Sequence, residues 1–88
     1  MFDIFEYNKI RAKLIGHKFK HFKGNVYIVK DITLDTESEE IRVIYYDITK
    51  PDIKWDRPYS MFSSKVDVKK YPDVKQVYRF ELLDEGDD

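Results

Sequence analysis

Val26-Tyr27-Ile28-Val29-Lys30-Asp31-Ile32 and, after an acidic stretch, Ile41-Arg42-Val43-Ile44-Tyr45-Tyr46 decide the fold of this chain. Both runs are rich in β-branched and aromatic residues, the types that suit a pleated, half-buried surface. Between them Asp35-Thr36-Glu37-Ser38-Glu39 reads as the loop of a hairpin. Successive strand side chains point to opposite faces. Ile41, Val43 and Tyr45 therefore share one face, and Arg42, Ile44 and Tyr46 the other. Both faces carry apolar groups, so neither is expected to meet open water entirely. Small barrels and subunit interfaces produce strands of this kind.

Working outward, Phe19-Lys20-His21-Phe22 reads as a short strand before the first run, with a turn at Lys23-Gly24-Asn25, where Gly and Asn tolerate positive φ. Beyond the hairpin, Trp55-Asp56-Arg57 reads as a short strand stopped by Pro58, which has no N–H for a ladder. Pro58 to Ser64 is a tight turn or a single helical turn. Val66-Asp67-Val68 alternates as a strand would, Tyr71-Pro72-Asp73 turns, and Val77 to Leu83 forms a last strand. Before all of these, residues 3–15 have helical spacing, with Asp3 as N-cap and Gly16 as the stop. An isolated helix of that length is marginal in water, so it must dock on something.

The expected fold is mainly β. It is a small SH3-like, partly open β-barrel of five or six short strands with an N-terminal α-helix. The expected division is a helix over 1–16, a barrel domain over 17–83 and a disordered acidic tail over 84–88. With 88 residues, 42% of them hydrophobic, there is material for one small domain and no internal repeat. The absence of cysteine excludes a disulfide framework and a thiolate metal site. His17 and His21 stand four apart, but Gly16 and the β-pattern argue against the helix that would make them a metal pair, so neither metal nor cofactor is expected. No apolar run approaches the roughly 20 residues that span a bilayer, and the first residues lack the features of a signal peptide. The expected location is the cytoplasm.

The net charge of −1 conceals segregation. Lys9 to Lys30 holds seven Lys or Arg and no acid, whereas Asp31 to Glu40 holds five acids and no base. A local basic segment in a near-neutral chain suits focused contact with an anion better than coating of a long duplex. On one strand face Trp55 offers a ring for base stacking, and Arg57 a fork for phosphate. Such stacking contributes roughly 1–3 kcal/mol per base. Lys20, His21 and Lys23 surround the glycine turn, where ammonium and backbone N–H groups converge on phosphate. Tyr45 and Tyr46 point oppositely, so at most one of them lines a given pocket, and Tyr45 is taken as that one. The candidate ligand residues are therefore Trp55, Arg57, Lys20, His21, Lys23 and Tyr45. The competing structural readings are a core role for Trp55, pairing of Arg57 with Asp56, Asp47 or Glu81, a satisfied interior site for His21, and a solvated hairpin at Gly24. No nucleophile stands beside an evident base, so no enzyme is expected.

His21-Phe22-Lys23-Gly24, Tyr27-Ile28-Val29, Trp55-Asp56-Arg57-Pro58-Tyr59-Ser60-Met61-Phe62 and Arg79-Phe80 together resemble the pattern of a family of short uncharacterised bacterial and phage domains. The resemblance runs from Phe19 to Leu83. It departs at Phe19-Lys20, where that family usually has Tyr-Arg, and at Asp35-Thr36-Glu37-Ser38, where it tends to have His-Ser-Glu-Thr. The helix over 3–15 is additional to the usual family length. The resemblance implies a small barrel and no general function. In type, not in motif, the chain is also similar to small phage proteins that sequester the cyclic nucleotide signals of anti-phage defence. The expected function is thus a non-enzymatic binding protein that sequesters a small anionic nucleotide, a cyclic dinucleotide above all, as a homo-oligomer. The alternative is an SH3-like adaptor that binds protein or nucleic acid.

Overall fold

The computed structural model describes residues 2–83. The order is α1 (Ile4–Leu14), β1 (Lys18–His21), β2 (Val26–Leu34), β3 (Ile41–Asp47), β4 (Trp55–Pro58), α2 (Tyr59–Phe62) and β5 (Phe80–Leu82). All five strands join one open sheet in the order β4-β3-β2-β1-β5, with every pairing antiparallel. The chain meanders through four strands, and the fifth returns to pair with the first. This is the mainly β fold that the sequence implies, with five strands. The tail expected over 84–88 falls outside the described residues.

Asp3 caps α1: its Oδ1 accepts from the N–H of Phe5 at 2.9 Å and of Glu6 at 3.3 Å. Gly16, at φ +83°, ends the helix in a conformation that disfavours other residues. The chain passes straight into β-type bonding, with Gly16 N–H donating to the carbonyl of Val29 at 2.8 Å. Ile10 and Leu14 bury into the core, and the Tyr7 hydroxyl donates to the Ile32 carbonyl at 2.9 Å. The short helix is thus held to β2 by apolar burial and by a bond to the strand backbone.

β2 is the spine. Its pairing with β3 shifts register between Val29 and Asp31, a bulge centred on Lys30. Strict alternation would send Val29 and Ile32 to opposite faces. The extra residue re-phases the strand so that both are buried. Val29 and Val43 are the most completely enclosed side chains, and Phe19, Tyr45, Phe62 and Phe80 pack around them. Bulges also bend strands, and the curl carries β5 across the core. Phe80 stacks on Phe62 with centroids 4.2 Å apart and planes 7° apart, and meets Tyr45 edge-on at 5.7 Å. Among the described residues no ladder joins β4 to β5; the ring stack spans that gap.

Two strand expectations are corrected. Val66-Asp67-Val68 is not a strand, because Asp67 builds a turn: its Oδ1 accepts from Lys69 N–H, and its carbonyl accepts from the N–H of Lys70 and Tyr71. The last strand is Phe80–Leu82, not Val77 to Leu83. Upstream of Phe80 the backbone pairs with the segment after α2, through Val66 N–H to the Val77 carbonyl and Arg79 N–H to the Ser64 carbonyl. The Gln76 side-chain amide donates to the carbonyls of Lys20 and Tyr78, fixing that change of partner.

Asp47 is buried at the end of β3 and accepts from Asn25 Nδ2, Thr49 N–H and Thr49 Oγ1 at 2.7–2.9 Å. The hydroxyl and amide donors of Thr49, then Asn25, hold its carboxyl below the usual range. The stability it adds is present above the unfolded value of about 3.9, and is lost as pH falls through the depressed folded value. An Asp47→Asn variant should therefore show a flatter acid limb in a plot of unfolding midpoint against pH. Phe80→Ala should cost about 3–5 kcal/mol in urea denaturation, because it opens a cavity at the stack. Trp55→Ala, at a side chain 51% exposed, should stay within about 0.5 kcal/mol.

Candidate functional site

Beside the edge-to-edge gap lies a cleft of about 300 Å³, lined by His21, Phe22, Lys23, Arg57, Asp67, Lys70, Tyr71 and Arg79. Four separate segments supply these side chains. His21 ends β1, and the turn that follows is tight: Gly24 N–H donates to the His21 carbonyl at 2.8 Å, with Gly24 at φ +110°. That turn carries Lys23 back over the rings of Phe22 and Tyr71, its Nζ 5.9 and 5.5 Å from their centroids. The Asp67 turn brings Lys70 into the same lining, its Nζ 5.5 Å from the Tyr71 centroid. Arg57 projects from β4 opposite Val43 and lies 5.6 Å over the Phe80 ring. Arg79 is held from both directions, its N–H on Ser64 and its carbonyl accepting from Phe22 N–H.

Four permanent cations thus face one carboxylate, Asp67. Among the described residues Arg57 forms no ion pair. Asp56, a partner the sequence offered it, is taken by Arg42 Nε at 2.7 Å. The guanidinium is left with a ring beneath it and an open fork.

His21 sits within this positive field. Its Nδ1 accepts the Lys23 N–H at 3.1 Å, so in the neutral ring the proton is on Nε2. The imidazole packs against Phe22 at 4.5 Å and Phe80 at 4.9 Å. Burial, followed by the charges of Arg57, Lys23 and Arg79, pushes its pKa below 6.5. His21 is accordingly a neutral hydrogen-bonding group at pH 7, and both proposed roles meet in it: it is packed, and it lines the cleft.

Of the six residues singled out from sequence, His21, Lys23 and Arg57 come together here. Lys20 does not. It lies exposed in β1, paired with Val26 of β2 and Glu81 of β5, and its side chain does not line the cleft. Tyr45 is 5% exposed and belongs to the core, between Tyr27, Phe62 and Phe80. Alternation correctly put it on one face with Ile41 and Val43, but that face is the filled interior, so Tyr45 does not line the cleft. Trp55 stands on the same face of β4 as Arg57, outside the cleft wall and exposed, so it is not a core ring. Among the described residues its indole meets no other ring and no cation.

Sequence reasoning missed Asp67, Lys70, Tyr71 and Arg79. Lys69-Lys70-Tyr71 repeats the aromatic and basic composition of the first cluster, a usable signal. Arg79 was visible only as part of a terminal motif. The hairpin where the chain departs from the resembled pattern, Asp35 to Ser38, does not line the cleft; Asp35 closes its own loop by accepting from the N–H of Glu37 and Ser38.

An NMR titration of the two imidazoles should place the His21 midpoint below 6.5, and Arg57→Ala or Arg79→Ala should raise it. Because the folded value is depressed, the unfolded chain binds the extra proton first. Stability should fall as pH drops from about 7 through 6.5, and level off below the folded value. A His21→Gln chain should lose that step.

No helix among the described residues is long and apolar enough to cross a membrane. Comparison with curated proteins returns no match. Comparison with solved structures returns none either. The model of a protein family of unknown function, DUF1653, matches residues 17–82, which takes in every strand and the whole cleft and leaves α1 outside. With three quarters of its length matched, the chain belongs to the DUF1653 family.

Proposed function

We propose that this protein binds a small phosphate-bearing nucleotide stoichiometrically, without chemical turnover, and so sequesters it. The observation that carries the reading is the convergence of Lys23, Arg57, Lys70 and Arg79, with neutral His21, on a cleft holding a single carboxylate. Guanidinium forks and ammonium groups around a concave polar surface suit phosphate oxygens. The volume of about 300 Å³ lies at the lower end of small-molecule sites, roughly 300–1,000 Å³. It accommodates one phosphate with its sugar more readily than a whole dinucleotide. A cyclic dinucleotide, the ligand class favoured from sequence, would then be shared between two copies of the chain, in the cytoplasm of a host cell if the protein is phage-encoded.

The base would lie on Trp55. Within the cleft, Tyr71 already has Lys23 and Lys70 near its ring and Phe22 at its edge. Trp55, two positions from Arg57 on the same strand face, has an unoccupied indole at roughly 6.6 Å along the strand. The serines near the site favour binding over catalysis. Ser63 and Ser64 donate their hydroxyls to the carbonyls of Tyr59 and Met61, and neither lines the cleft.

Calorimetric titration with inorganic phosphate, mononucleotides and cyclic dinucleotides, followed by recovery of the ligand, tests this. Intact ligand and saturable heat are expected. Arg57→Ala should lower affinity about tenfold or more, since a charged hydrogen bond contributes roughly 1.5–3 kcal/mol, with little change in unfolding midpoint. Trp55→Ala should weaken nucleotides and leave phosphate unaffected. No heat with any nucleotide would overturn the reading, and a cleaved product would make the protein an enzyme. Tight binding only to long single strands, with a steep salt dependence, would favour the adaptor reading.

A further inference from the structure

The outer face of α1 is an unpartnered surface that the ligand reading does not use. Phe5 is 80% exposed, Ile4 and Phe2 are also exposed, and a groove of about 730 Å³ runs between α1 and Tyr59 of α2. Asp3, Phe5, Glu6, Lys9, Ala12 and Lys13 line it along the helix. Ile10 and Leu14 face inward, so α1 is already docked; the groove is a second side of the same helix.

Charge order along this face is what identifies the occupant. The acids, Asp3 and Glu6, stand at the N-terminal end, Lys9 at the centre and Lys13 in the last turn. Among the described residues Glu6, Lys9 and Lys13 form no ion pair. Lys9 and Lys13 are four apart, a like-charge spacing that is unfavourable on a lone helix. A face with opposite charges at its two ends is complementary to its own antiparallel copy. A two-fold axis across the middle of α1 sets Glu6 of each helix against Lys13 of the other, and it brings the two Lys9 side chains together near the axis, a repulsion consistent with a weak contact. It also brings each exposed Phe5 toward the small Ala12 of its neighbour. Isologous contacts of this kind require that one patch serve both subunits.

We infer that the α1 face, with the groove it forms against Tyr59, is a self-association surface that takes a second copy of this chain antiparallel. The helix spans about 16 Å, so the contact is smaller than the roughly 1,200–2,000 Å² of stable complexes and belongs to the weak, reversible class. Apart from Tyr59, the surface lies outside the region matched by the family model, and none of its residues lines the ligand cleft. The pairing therefore does not depend on that cleft.

Sedimentation equilibrium from about 10 μM to about 1 mM, the range in which small interfaces associate, tests it on the full chain without ligand. Wild type should shift from monomer toward dimer. Glu6→Lys sets lysine against the partner's Lys13, and Lys13→Glu sets glutamate against the partner's Glu6, so each variant alone should associate at least tenfold more weakly. Mixed in equal amounts, the two variants should form a heterodimer at least as tight as the wild-type pair, because both contacts are then opposite in sign. Circular dichroism confirms that each variant keeps its fold, and Phe5→Ser should weaken every combination. A wild-type chain that stays monomeric throughout overturns the inference. So does a mixture that associates no better than the separate variants.

Discussion

The stack of Phe62 on Phe80 is the contact on which the rest of the molecule depends. The sheet is open: its ladders run from β4 through β3, β2 and β1 to β5 and do not close. The flanking segments are tied by backbone bonds from Val66 N–H to the Val77 carbonyl and from Arg79 N–H to the Ser64 carbonyl, and a parallel ring pair between the short helix after β4 and the first residue of β5 holds the curled ends together over the core. A continuous ladder is directional and would have forced a fixed register between the edge strands themselves. Ring stacking requires only that two flat surfaces be brought together. The edges can therefore stay apart far enough to leave a cleft between their flanking segments while the core remains dry.

Phe80 belongs to both structures at once. Its ring meets Tyr27, Tyr45 and Phe62 in the interior, and on its other contacts it carries Arg57 and packs against His21. The depressed basicity of His21 is a result of this arrangement, because the surface that buries the imidazole also brings the cations close. An anion entering the cleft would relieve mutual repulsion among Lys23, Arg57, Lys70 and Arg79. The cost of holding like charges together is thus built into the fold, and an anion held there would offset part of it.

Local signals in the sequence were reliable where one element determines its own shape. The cap at Asp3, the stop at Gly16, the glycine turn and the two long strands are legible because each depends on residues within a few positions. The alternation of Ile41 to Tyr45 groups their side chains on one face correctly, but it cannot say that this face is the interior, nor that Phe62 and Phe80, far along the chain, fill the space in front of Tyr45. Val66 to Val68 has a strand's pattern and becomes a turn, because the Asp67 side chain offers nearby N–H groups a closer partner than any neighbouring strand. Of the four cations that line the cleft, Lys23 and Arg57 were singled out from sequence, since they stand beside turn-setting residues. Lys70 and Arg79 were not, since they reach the site only through the Asp67 turn and the Gln76 bridge, whose targets no spacing rule predicts.

The bulge at Lys30 has a consequence beyond bending β2. By turning both Val29 and Ile32 inward, it gives the inner face of the strand an apolar width that the five strands alone leave open. α1 covers that width with Ile10, Leu14 and the Tyr7 hydroxyl on the Ile32 carbonyl. Yet α1 stands outside the region that the family model matches. The one extra residue in β2 thus ties the matched sheet to a helix beyond it, because the face it makes apolar is closed by Tyr7, Ile10 and Leu14.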